Sequence, residues 1–197
     1  MENTSEKEMN PAESFAIINS MINTAKNRLA DDGFHQIFWG WLITFCALTH
    51  YVLIQIHIYE GYWVWVIFPP LGGVVSTLYG RKESKAKKVK SYVDTYITYM
   101  VRAFLISMAI ALVFMPLHGI KITYFILMIL YGGYTFIFGG LLNFKPLVYG
   151  SLFSFGFACL SVFLSDVDQL LCISGALIFS HIIPGHLLRS QYKSQNV

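Results

Sequence analysis

Arg102, His50 and His181 are the side chains best placed to do chemistry, because each lies inside a long apolar run. An ionisable group in such a setting is costly unless it meets water, a partner or a ligand, so it is a functional candidate by default. Arg102 enters its run by about five residues, roughly 7–8 Å, a depth from which the guanidinium reaches the interface. Asp94, Tyr96 and Tyr99 are close by in sequence. Two readings follow: an anchor, or a contact to an anion or lipid headgroup. His50 and His57 are one heptad apart and would share a helix face, while His181 and His186 flank Pro184–Gly185. Two imidazoles on facing helices ligate haem only at matching depths. Counted from the outer boundary, His50 and His181 differ by roughly 9 Å, so hydrogen-bonded histidines within a bundle are the plainer reading.

Other chemistry is sparse. Ser165 and Asp168 have a capping-box spacing, and Asp166 adds charge that suits a helix N-terminus; with Glu60 they could instead form an outer cation site. Cys46, Cys159 and Cys172 all fall in apolar runs with no CxxC spacing, which points to buried thiols and away from a disulfide framework or a zinc site. Hydrolase, metalloprotease and nucleotide-binding motifs are missing, and paired acidic residues are absent from the apolar runs, so an enzyme is disfavoured and no cofactor or metal is expected.

The elements that must position these residues are apolar stretches at about 35–58, 62–79, 97–116, 122–142, 146–164 and 167–188. At roughly 20 residues per crossing they use most of the chain. Apolar residues make up 55% of the 197 positions and charged ones 13%, which leaves no room for a second, soluble domain. Alternate assignment puts Lys7, Lys26, Arg28, Arg81, Lys82, Lys85, Lys87, Lys88, Lys90, Lys145, Arg189 and Lys193 on one side and only Lys121 on the other. Positive charge stays cytoplasmic during insertion, so both termini should be inside. The expected fold is all-α: six transmembrane helices in three hairpins over 35–188, a cytoplasmic segment 1–34 and a tail 189–197. No cleavable signal peptide or lipidation signal is read at either end.

Residues 10–32 read as an amphipathic helix. Asn10 caps it, Pro11 and Glu13 suit its first turn, and Phe15, Ile18, Ile22, Ala25 and Leu29 form the apolar stripe. Gly33 is expected to end it. With few lysines opposite the stripe, this helix should pack on the bundle or on a protein partner. The basic run 81–90 should face an anionic leaflet rather than nucleic acid. Pro69 and Pro70 should bend the second span. Gly72–Ser76–Gly80, Ala103–Ser107–Ala111 and Gly150–Ser154–Ala158 are small-residue ladders that permit close helix approach. Gly72–Gly73…Gly80 and Gly132–Gly133…Gly140 give a weak repeat.

Several strings are distinctive: Ala30-Asp31-Asp32-Gly33-Phe34-His35 leading into Trp39-Gly40-Trp41-Leu42, Pro70-Leu71-Gly72-Gly73, Tyr79-Gly80-Arg81-Lys82, Asp168-Gln169-Leu170-Leu171 and Ile183-Pro184-Gly185-His186-Leu187-Leu188. They resemble a family of small bacterial inner-membrane proteins with no assigned activity, over nearly the whole chain. That resemblance implies topology and carries no catalytic or binding residues. The function expected is a non-enzymatic regulatory, sensing or structural membrane component. A small transporter or channel is the alternative, with His50, Gln55, Arg102, Thr135 and His181 as the polar residues available to line a path. A haem-binding redox protein is the weaker one.

Overall fold

Apolar helices dominate because a lipid-facing backbone must satisfy its own hydrogen bonds, and helices do so within one segment. A computed structural model describes residues 10, 15, 33–86 and 92–195, and no strand occurs among them. The helices are α1 (Phe34–Gln55), α2 (Trp63–Ala86), α3 (Tyr92–Val113), α4 (Met115–Leu142) and α5 (Lys145–Ser161). The last helical run consists of α6 (Gln169–Leu177), a π turn (Ile178–Ile182) and α7 (Ile183–Gln195). Among the described residues, five helices are long and apolar enough to cross a membrane: α1, α2, α3, α4 and the run Gln169–Gln191. At 17 residues, α5 is shorter than these. Of the expected N-terminal helix, only Asn10 and Phe15 fall among the described residues, and basic positions 87–90 also lie outside them.

Helices α1 and α2, and α4 and α5, pack as antiparallel pairs. On α1 and α2, Trp39 Nε1 donates to Ser76 Oγ at 2.9 Å near one end, and Trp65 Nε1 donates to His50 Nδ1 at 3.1 Å near the other. Between α4 and α5, Ser154 Oγ donates to the Met128 carbonyl, and Gly139 closes on Leu147 and Val148. The final helical run is central: 61% of its span is buried, against 6% for α2 and for α3. It touches α1, α4 and α5, whereas among the described residues the close backbone approaches of α2 are to α1 and the turn Tyr59–Tyr62 and those of α3 are to α4. The Trp65 ring of α2 also reaches Tyr124 of α4, with centroids 6.4 Å apart. Among the described residues the two rim helices, α2 and α3, make no close backbone approach to each other.

Turn chemistry is sharper than the apolar pattern suggests. Both α1 and α4 end in Schellman-type caps built on non-glycine residues with positive φ, His57 (63°) and Asn143 (54°). The N–H of Ile58 bonds to the Leu53 carbonyl, and that of Phe144 to the Gly139 carbonyl. His57 therefore leaves the helix and shares no face with His50. Gly119, at φ 83° and ψ 167°, breaks α4, so its membrane portion begins after that point. Helix α2 continues through Pro69 and Pro70 as one element. Gly33 does not end a helix with a left-handed residue: it is the right-handed N-cap of α1, and its role is a close approach to the Gly185 carbonyl. Ser165 and Asp168 do cap one another, with Ser165 Oγ donating to Asp168 Oδ2 at 2.7 Å and accepting from the Asp168 N–H at 3.2 Å.

The ladders are used unequally. Gly150, Ser154 and Ala158 are all buried in the α5 interface, whereas Ala103 is exposed. Of the weak repeat, Gly72 meets Leu42 and Gly132 meets Phe155, while Gly73, Gly80, Gly133 and Gly140 face open space. Cys46 and Cys172 are buried as expected, but Cys159 is exposed, because it falls on the outward side of α5.

Candidate intramembrane cleft

The separation of α2 from α3 leaves a cavity of about 730 Å³. Its walls are the facing sides of those helices, and its floor comes from α1, α4 and the π turn. Most of it lies in the half of the bundle that holds the start of α1, the end of α2 and the start of α3, and it reaches past the middle of α3 at Leu105 and Met108.

His181 forms the floor. Pro184 has no N–H to give the Ser180 carbonyl, and a π turn accommodates that lost bond. Two glycines hold the turn from opposite sides. A Cβ at Gly40 would stand 2.8 Å from Ile182 Cγ1 and 3.0 Å from His181 Cβ. One at Gly150 would stand 2.9 Å from Pro184 Cγ and would strike the Phe179 carbonyl. The imidazole is 2% exposed. Its Nδ1 is 2.7 Å from Ser180 Oγ, its Nε2 is 3.5 Å from Thr135 Oγ1, and its ring meets Tyr131 edge-on with centroids 5.3 Å apart. The Ser180–His181 pair has the atoms of a nucleophile and a base, but Ser180 is fully buried, so the bond serves packing.

The walls carry the remaining polarity. Arg102 lines the cleft from α3 with its guanidinium 5.8 Å from the Tyr99 ring centroid, and among the described residues no carboxylate is within ion-pair distance of it. Asp94 lies eight residues, about 12 Å, nearer the start of α3. From α1, Gln36 is 4% exposed and its Nε2 has no hydrogen-bond partner. Trp39 is held by Ser76. Tyr131, Tyr134 and Phe138 make an aromatic stripe down α4, and Phe104 packs on the first two at 5.1 and 5.0 Å between centroids.

Arg102 and His181, singled out in the sequence, thus meet at one cavity, with Thr135 behind the imidazole. His50 does not join them. It accepts from Trp65 and packs on Gly61, at the far end of α1, ten residues and about 15 Å from the Gly40 contact with His181. With His50 and His181 that far apart, the two-histidine haem arrangement does not form. Gln36, Trp39, Ser76 and Tyr131 belong to the site without having been singled out. The signal for Gln36 was a lone amide in the first turn of a span, and for Tyr131 and Tyr134 it was their helical spacing to Phe138. Among the described residues, no group of three His, Cys, Asp or Glu could hold a metal ion. The cleft offers hydrogen-bonding side chains, the Arg102 cation and, nearer the start of α3, the Asp94 carboxylate, above an aromatic floor. No family model, curated protein or solved structure matches this chain.

Proposed function

We propose that this is a six-span integral protein of a bacterial inner membrane that works without catalysis, as a regulatory or sensing component that binds a ligand in the cleft. The observation that carries this reading is the cavity between two rim helices, with Arg102 and His181 on its surface and Gln36 Nε2 unpaired. The sixth crossing is α5. Its 17 residues span about 25 Å, close to the lower limit for a transmembrane helix, and the capped turn at 165–168 lies beyond it. The packing of α1 with α2, of α3 with α4 and of α5 with α6 supports three hairpins, and the charge asymmetry favours cytoplasmic termini. The run 81–90 would lie on the anionic leaflet, and the N-terminal stripe would dock on the bundle or a partner. The resemblance to small bacterial inner-membrane proteins belongs to the same proposal.

A channel is the weaker reading, because the cleft is blind. Beyond His181, the other half of the bundle is filled by a core cluster that includes Ile43, Ala47, Met128, Leu170 and Leu177. Two experiments test the proposal. Reporter fusions after residues 60, 90, 119, 144, 166 and 197 should alternate, starting outside, and an external signal at 90 would overturn the topology. A chromosomal Gly73→Leu substitution, which fills the cleft, should reproduce the deletion phenotype at normal membrane levels. Wild-type behaviour would remove the cleft from the function.

A further inference from the structure

From the cleft-binding reading just given, we infer that the ligand is an acyl-chain amphiphile with an anionic oxygen head, the head held by Arg102 and Gln36 and the chain lying along Leu105 and Met108. Three observations lead there. Gln36 Nε2 is a buried donor with no acceptor, and such groups in a folded protein call for an explanation. Arg102 has no carboxylate partner among the described residues, although a guanidinium pairs best with a planar or tetrahedral oxyanion. Both residues line one cavity whose volume of about 730 Å³ falls within the usual range for small-molecule sites.

Their heights agree. Phe104 meets Tyr131 and Tyr134, Tyr131 meets His181, and a Cβ at Gly40 would meet His181. Arg102 and Gln36 therefore stand within about one helical turn of the same level. Deeper along α3 the cleft lining is apolar, at Leu105 and Met108. A head at the level of Arg102 with its chain pointing toward mid-membrane has the orientation of a lipid in the cytoplasmic leaflet. Because the described residues of α2 and α3 make no close backbone approach, such a molecule can enter sideways. Asp94 lies about two turns closer to the surface, away from the head.

The shared chemistry is a net-anionic carboxylate or phosphate head on a hydrocarbon chain, and its source is separable by experiment. The purified full-length protein would be titrated in detergent with phosphatidylglycerol, oleate, phosphatidylcholine and inorganic phosphate, and bound species counted by native mass spectrometry. One phosphatidylglycerol or one oleate should be retained, and whichever binds more tightly identifies the source. Arg102→Gln should weaken it by about tenfold or more, Arg102→Lys should restore most of the affinity, and His50→Gln should change nothing. Gly73→Leu is the control for misfolding: the position lines the cleft and an added Cβ meets no atom within 4 Å, so binding should vanish while the fold persists.

Phosphatidylcholine retained as tightly as phosphatidylglycerol would overturn the inference, as would inorganic phosphate bound as tightly as the lipid. So would undiminished binding in both Arg102→Gln and Gly73→Leu. A photoreactive residue at Met108 should crosslink to lipid; crosslinking to a polypeptide would overturn the inference and make the cleft a helix-docking site. Alternating reporter fusions with a failed titration would sink the ligand alone, whereas a failed alternation would sink the topology whatever the titration gives.

Discussion

Gln36 is where stability and function pull apart. Its amide is buried without an acceptor, and an unsatisfied donor of this kind costs about 1–3 kcal/mol. Gln36→Leu should therefore raise the resistance of the empty protein to thermal unfolding in detergent, by an amount corresponding to about 1 kcal/mol or more, while weakening ligand retention. A melting temperature that falls would mean that the amide supports the fold. His50 should behave in the opposite way. Its bond from Trp65 ties α1 to α2 at the far end, so His50→Ala should cost about 0.5–1.5 kcal/mol and leave binding untouched. A third test concerns the thiols: a membrane-soluble maleimide should modify Cys159 in the folded protein and spare Cys46 and Cys172, as read by intact mass. Labelling of all three would contradict the packing of α1 and α6.

At the scale of the helix, the glycines sort into two kinds. Gly40 and Gly150 are pressed against the π turn, where a side chain at 40 would meet the side chains of Ile182 and His181 and one at 150 the Phe179 carbonyl and the Pro184 ring. Gly150→Val should cost more than the roughly 1–3 kcal/mol of ordinary overpacking, because a carbonyl cannot swing aside as a side chain can. Gly133 and Gly156 face open space in helices, and Gly133→Ala or Gly156→Ala should be neutral or stabilising by about 0.5–1 kcal/mol. Steric-trap or thermal measurements on the three variants would check the contrast, and equal losses would refute it. Nothing in the sequence separates these two kinds of glycine, since the Gly72–Gly73 and Gly132–Gly133 pairs place one of each side by side. The ladder Gly150–Ser154–Ala158 was legible because all three positions pack, and Ser165–Asp168 because capping is local. The π turn was not: Pro184 marks an irregularity, but whether a helix kinks, breaks or widens there depends on the glycines of two other helices.

For the whole molecule, the apolar runs were sufficient to outline an all-helical chain with helices long and apolar enough to cross a membrane. The cleft was illegible because its residues come from α1, α2, α3, α4 and the π turn, and only packing brings them together. Arg102 was legible by its oddity, and His50 was a false companion because shared chemistry says nothing about shared height. One contact at this scale also bears on how the protein is made. Gly40 lies against His181, and 141 residues separate them in the order of synthesis. At about 5–20 residues per second, the first helix spends roughly 7–28 s in the bilayer before the surface it fits has been translated. During that interval the glycine notch around position 40 faces lipid, and the ribosome is still engaged. Any insertase or chaperone that guards small-residue grooves would find its substrate there, before the last helix arrives and closes the bundle.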